Sequence, residues 1–117
     1  MVRRCFLLFL CAALPLLARD AKEQARIDSL LGSIESLEGA KFIRNGKAHD
    51  ADEAADHLRK KLDRAGDRVK TAEDFIDGLA TKSSFSGKPY RIRFKDGSET
   101  ATGPWLHGQL KEIDGKG

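Results

Sequence analysis

The side chains best suited to chemistry in this sequence form a basic stripe on one predicted helix. His57, Lys61 and Arg64 follow one another at intervals of four and three residues, so they lie along one flank of that helix. Arg68 follows in the next loop, and Lys88 ends a loop rich in serine. Cationic side chains and backbone N–H groups together suit a phosphate, a carboxylate or a glycan acid. The sequence therefore predicts an anion-binding site at these five residues.

The same stripe is also typical of an ordinary solvated helix face. Glu53, Asp63 and Asp67 are near enough in sequence to pair with the basic side chains. Exposed pairs of this kind contribute only about 0–1 kcal/mol each to stability. Both interpretations place the basic residues on the surface, and they differ only in what those residues bind.

Metal and cofactor chemistry receives little support. His49, Glu53 and His57 are three ligand types that a loop and one helical turn can bring together. Their spacing matches no strong metal-binding motif, and Glu53 is already accounted for as the partner of Asp50 in a helix capping box. We therefore predict neither a metal site nor a cofactor.

Catalysis by a serine nucleophile is equally weakly supported. Ser83, Ser84 and Ser86 are the candidates in a flexible loop, but neither a G-x-S-x-G elbow nor an S-x-x-K motif is present. The residues favour a non-enzymatic binding or interaction module for an anionic small molecule or an envelope protein. The alternative is a small envelope enzyme that acts on a glycan or phosphoester with His57 as its acid/base.

The amino terminus reads as a secretory signal peptide. A basic start, Met1 to Arg4, precedes an apolar run from Cys5 to Ala18. That run is shorter than the roughly 20 residues of a membrane-spanning helix. We predict a signal peptide at 1–21 and one exported domain at 22–117, with no membrane span after cleavage; retention of the leader as a tether is the alternative.

Cleavage at that position changes the charge and the cysteine content. Of the 21 Lys and Arg residues, three lie in the first 21 positions, and of the 18 Asp and Glu residues one does. The remaining domain is nearly neutral, at +1, so the precursor's basic pI does not argue for nucleic-acid binding. Cys5 and Cys11 leave with the leader, which excludes disulfides and cysteine chemistry from the exported domain.

The pattern of apolar residues and turn signals around these side chains predicts a helix-rich α+β domain with about four helices and a small antiparallel hairpin. Apolar spacing predicts helices over 22–38, from Asp50 to Gly66, from Thr71 to before Ser83, and a last short one after Pro104. Residues 41–44 are strand-like and precede a tight Asn45-Gly46 turn.

The clearest strand signal is the alternation of Tyr90, Ile92 and Phe94 with Arg91 and Arg93. It predicts a hairpin that returns over 99–102. The aromatic rings then lie on the face opposite to the arginines, where they join the core and do not stack on bases. We expect a core in which four elements meet through one residue each: Leu58, Phe75, Ile92 and Trp105.

Several motifs resemble the YfeK-like family of small exported bacterial proteins, a domain of unknown function. They are Phe-Ile-Arg-Asn-Gly at 42–46, Ala-Ala-Asp-His-Leu-Arg at 54–59, the segment 65–75 and Ser-Gly-Lys-Pro-Tyr at 86–90. The resemblance covers about residues 27–110. It implies export to the periplasm of a Gram-negative bacterium, and it implies no activity or catalytic residue.

Export is directly testable. We expect cleavage between Ala13 and Lys22, because the apolar run ends there, and a periplasmic product without cysteine. Cell fractionation followed by intact-mass measurement checks both points. Recovery of the full-length chain from the cytosol would contradict the prediction.

Overall fold

The computed structural model describes residues 19–116, which fold into an α+β domain as predicted. The predicted signal peptide lies outside the described residues except for its last three positions, 19–21. The helices are α1 (Ala21–Glu35), α2 (Ala51–Ala65), α3 (Ala72–Phe75) and α4 (Thr102–Lys116), and the strands are β1 (Lys41–Arg44), β2 (Lys47–His49), β3 (Arg91–Arg93) and β4 (Glu99–Ala101). A 3₁₀ turn, Gly66–Arg68, follows α2, and a π-helical turn, Ile76–Ala80, continues α3.

The strands form one antiparallel sheet in the order β2-β1-β3-β4. Asn45 and Gly46 both have positive φ, 51° and 80°, as a two-residue turn requires, and they join β1 to β2. Phe42 of β1 lies opposite Ile92 of β3. The predicted hairpin is therefore half of a larger four-stranded sheet, in which the strand-like residues 41–44 also pair.

Local capping signals decide where the helices begin. The Asp50 backbone N–H donates to the Glu53 carboxylate over 3.4 Å at the start of α2, where a capping box is present. At α3, Thr71 Oγ1 accepts from the Asp74 N–H over 3.0 Å. Both predicted starts are confirmed, because a side-chain oxygen here satisfies an N–H that has no partner within the helix.

The core lies between the helices and one face of the sheet. Leu58, Phe75 and Ile92 are buried as predicted, but Trp105 is only partly buried. Leu106 and Leu110 anchor α4 in its place, because they are the residues of this 15-residue helix that turn toward the core. The last helix is thus longer than expected, and its principal core contacts are leucines.

An ion-pair cluster around Arg26 joins α1, α3 and α4. Its guanidinium contacts Glu23 of α1 at 2.7 Å, Glu73 of α3 at 3.1 Å and Asp114 of α4 at 2.8 Å. Hydrogen bonds to Asp114 and Glu73 raise the pKa of Arg26 further above its ordinary value. A network of this kind holds the helix ends together more firmly than isolated exposed pairs do.

We expect Leu58→Ala, Phe75→Ala and Ile92→Ala each to lower the free energy of unfolding by roughly 2–5 kcal/mol, because each leaves a cavity in the core. Trp105→Ala should cost less, since that side chain is partly exposed. Denaturant titration checks the series. Phe85→Ala is the control, because Phe85 is 96% exposed, and an equal loss in this variant would contradict the assignment of the core.

Candidate functional site

A narrow cleft opens between β1 and α2, with a cavity volume of about 30 Å³. One part of its wall is apolar and the other carries hydroxyl, imidazole and guanidinium groups. The apolar residues are Ile34, Phe42, Ile43, Ala54 and Leu58, and the polar ones are Arg44, His49, His57, Tyr90 and Thr102. The surface exposed inside the cleft is almost wholly apolar, although half of its lining residues also carry a polar group.

Lys61 lies behind the polar wall and is buried, with 7% of its surface exposed. Its ammonium donates to Leu79 O over 2.7 Å, to Tyr90 Oη over 3.1 Å and to Lys82 O over 3.3 Å. Three protons therefore meet three acceptors, which is what burial of an ammonium requires. The expectation that Lys61 is exposed is wrong, because its position on α2 turns it inward beside Leu58 and Leu62.

The carbonyl groups that receive Lys61 come from an irregular segment. Leu79 belongs to the π-helical turn, whose wider winding alters the regular pairing of N–H and C=O groups. Thr81 Oγ1 donates to Ile76 O over 2.8 Å in the same turn. Because side chains supply these bonds, the irregular backbone is stable inside the domain.

Tyr90 connects Lys61 to His57. Since the Tyr90 oxygen accepts from Lys61, its own O–H can donate to His57 Nε2, which lies 3.3 Å away. An imidazole that is neutral and accepts at Nε2 carries its proton on Nδ1. His57 then has an N–H donor left for a molecule in the cleft.

The electrostatic environment of the cleft is positive. Burial, together with the charges of Arg44, Lys61 and Arg64, lowers the pKa of His57 from 6.5 to about 4. Burial, with Arg44 and Arg64, also lowers the pKa of Lys61. Burial raises the pKa of Tyr90, while Arg44 opposes that change. His57 is therefore neutral at pH 7 in a field that attracts anions.

Thr102 contributes a hydroxyl that has no partner. The residue is 3% exposed, and its Oγ1 is the one buried side-chain polar atom in residues 19–116 without a hydrogen bond. Its backbone N–H donates to Tyr90 O over 2.9 Å, which holds it at the cleft wall. A buried hydroxyl without a partner costs free energy, and a polar ligand group in the cleft would remove that cost.

The five predicted anion-binding residues do not converge on one point. His57 lines the cleft, Lys61 lies behind it, and the charge of Arg64 acts on both from α2. Arg68 instead donates to Ala65 O and Arg64 O at the end of α2. Lys88 lies in the exposed loop before β3. Of the five predicted residues, His57 therefore lines the cleft itself.

The remaining candidate groups have structural partners. His49 Nδ1 lies 3.6 Å from a Glu53 oxygen, and no group of three His, Cys, Asp or Glu residues in the described chain is arranged to hold a metal. Ser83 is buried, and its hydroxyl accepts the N–H groups of Phe85 and Ser86 over 3.2 Å. Among residues 19–116, the His57 side chain forms a hydrogen bond with Tyr90 and with no serine.

Four features of the cleft escaped sequence reasoning. Lys61 had a signal, because it lies three residues after Leu58 and four before Ala65, on the buried face. Tyr90 was expected in the core but without a polar role. Arg44 and Thr102 had no local signal, since their place at the cleft depends on sheet order and on where α4 meets the sheet.

Comparison with known proteins places the chain in a family. The model of a family of unknown function, DUF5329, matches residues 21–114. The chain belongs to this family. It is also 44% identical over 87 residues to the uncharacterized protein YfeK of Salmonella typhimurium, a match that covers 74% of this chain and 72% of that protein. No solved structure matches, and the resemblance noted from the sequence is confirmed.

The pKa of His57 predicts an acid-sensitive fold. Its folded pKa of about 4 lies below the ordinary 6.5, so the unfolded chain binds the proton first, and stability is lost as the pH falls from 6.5 toward 4. His57→Gln should lose less stability over this interval. Thermal unfolding at a series of pH values checks this against His107→Gln, whose site is exposed; identical curves for wild type and His57→Gln would contradict it.

Proposed function

We propose that this domain is a binding module of the bacterial cell envelope whose cleft takes a small organic anion. The anionic group lies between Arg44, the His57 Nδ1 proton and the Thr102 hydroxyl, and a short hydrocarbon part lies against Phe42 and Leu58. The observation that carries the proposal is the unpartnered, buried hydroxyl of Thr102 in the wall of the cleft.

The charges near the cleft support an anion over a cation. Arg44 acts on His57, Lys61 and Tyr90 alike, and it has no ion pair among the described residues. No carboxylate is among the groups that shift the pKa of these three residues. A ligand anion would supply the missing negative charge in a partly dry site, where such a pairing is stronger than in water.

The shape and chemistry of the wall support an organic anion over inorganic phosphate. The enclosed cavity holds only about 30 Å³, far below the roughly 300–1,000 Å³ of ligand pockets, so a ligand would insert one small group and lie mostly across the open mouth. The surface exposed inside the cleft is almost wholly apolar, and its burial favours a hydrocarbon group.

The periplasm remains the proposed location. The basic start and apolar run of residues 1–18 support export. No helix in the described part of the chain has the length and apolarity needed to cross a membrane. An envelope protein that presents a carboxylate beside an apolar side chain is a ligand of the same chemistry.

The test is an NMR titration of the exported product with hexanesulfonate, which stays anionic at every pH used. We expect shifts at His57 and Thr102, and tighter binding at pH 5 than at pH 7, because the bound anion raises the pKa of His57. Arg44→Gln should weaken binding roughly 10-fold or more, as loss of a charge-assisted hydrogen bond does.

The matched control is Arg93→Gln, which removes the same charge from an exposed position on β3. Equal weakening by both variants would contradict a site at the cleft and leave only an effect of net charge. Inorganic phosphate should bind more weakly than hexanesulfonate. The reverse order would contradict the role of the apolar wall.

A further inference from the structure

One large apolar side chain in the described chain is almost fully exposed. Phe85 is 96% exposed in the loop between the π-helical turn and β3. A single exposed apolar residue is common and needs no explanation by itself. Here, however, hydrogen bonds fix the backbone on both sides of it.

Hydrogen bonds within the loop fix the position of Phe85. The buried Ser83 hydroxyl accepts from the N–H groups of Phe85 and Ser86, each over 3.2 Å. The Ser83 backbone closes the loop through its N–H to Lys88 O, 3.0 Å, and its carbonyl to the Gly87 N–H, 2.9 Å. The loop around Phe85 therefore loses little conformational entropy when Phe85 enters a contact.

A second turn is joined to this loop. Asn45 Nδ2 donates to Ser83 Oγ over 3.3 Å, and the Ser86 hydroxyl donates to Asn45 Oδ1. Residues 45–47 and 82–88 therefore form one surface, which we call the basic tip. Its lysines are Lys47, Lys82 and Lys88.

The lysines of the basic tip have no ion-pair partner. All three are exposed, and none of the salt bridges in the described chain involves them. No Asp or Glu occurs in the segments 40–49 and 78–95, and the acidic groups that share a groove with Ser84 are Asp74 and Asp77. Phe85 accordingly lies in a loop of serines and unpaired lysines, with no second large apolar residue exposed in the described chain.

We propose that the basic tip contacts an anionic membrane surface, with Phe85 at the boundary of headgroups and acyl chains and the three lysines at the lipid phosphates. An aromatic ring flanked by cations is the combination that interfacial binding uses. A protein interface would instead surround its aromatic anchor with further apolar contacts.

The test uses the chain as it is purified from cells and vesicles of equal parts phosphatidylglycerol and phosphatidylcholine. Sedimentation should show binding that falls with added salt and is weak on phosphatidylcholine alone. Phe85→Ser should lower vesicle affinity roughly 10-fold or more, from the value of burying a Phe side chain. Lys82→Gln and Lys88→Gln should each lower it about fivefold.

The control is the pair Lys60→Gln and Lys111→Gln, which removes exposed charges on helices outside the basic tip. A second measurement, NMR line broadening by spin-labelled lipid, should affect residues 45–47 and 82–88 first, even where the leader is retained. Equal binding by Phe85→Ser and wild type, broadening centred elsewhere, or no vesicle binding by the folded protein would overturn the proposal. None of the residues substituted in this test lines the cleft, so the two proposals fail separately.

Discussion

The burial of Lys61 is the constraint on which the rest of the site depends. An ammonium removed from water is stable only when each of its protons has an acceptor, and here the acceptors are two carbonyl groups and the Tyr90 phenol. Those acceptors come from the π-helical turn, from the segment after it and from the residue before β3. One side chain of α2 thereby holds three parts of the chain in fixed positions.

The chemistry of the cleft follows from this arrangement. The Lys61 ammonium donates a hydrogen bond to the Tyr90 oxygen. The Tyr90 O–H therefore donates to His57 Nε2, and this bond places the imidazole proton on Nδ1. Because Lys61, Arg44 and Arg64 face no carboxylate at this place, the imidazole stays neutral and the site stays positive. The apolar wall and the Thr102 hydroxyl lie within the same field.

The β1–β2 hairpin serves both surfaces. Arg44, at the end of β1, borders the cleft, and the adjacent Asn45 holds the loop that carries Phe85. The tight turn makes this possible, because a two-residue connection places successive side chains at an edge of the sheet with little freedom. A binding cleft and a membrane-facing tip would then share one rigid support.

The sequence by itself determined the local features. Asp50, Glu53, Thr71 and Asp74 predict the helix starts, and Asn45-Gly46 predicts its turn, because these signals act through neighbours within four residues. The tertiary structure alone decided that β1 pairs with β3, that Thr102 and Arg44 meet at one cleft, and which groups accept the protons of the buried Lys61. Its acceptors lie 18 to 29 residues away, and neither spacing nor composition specifies which carbonyl groups will be free to receive a proton at such a separation.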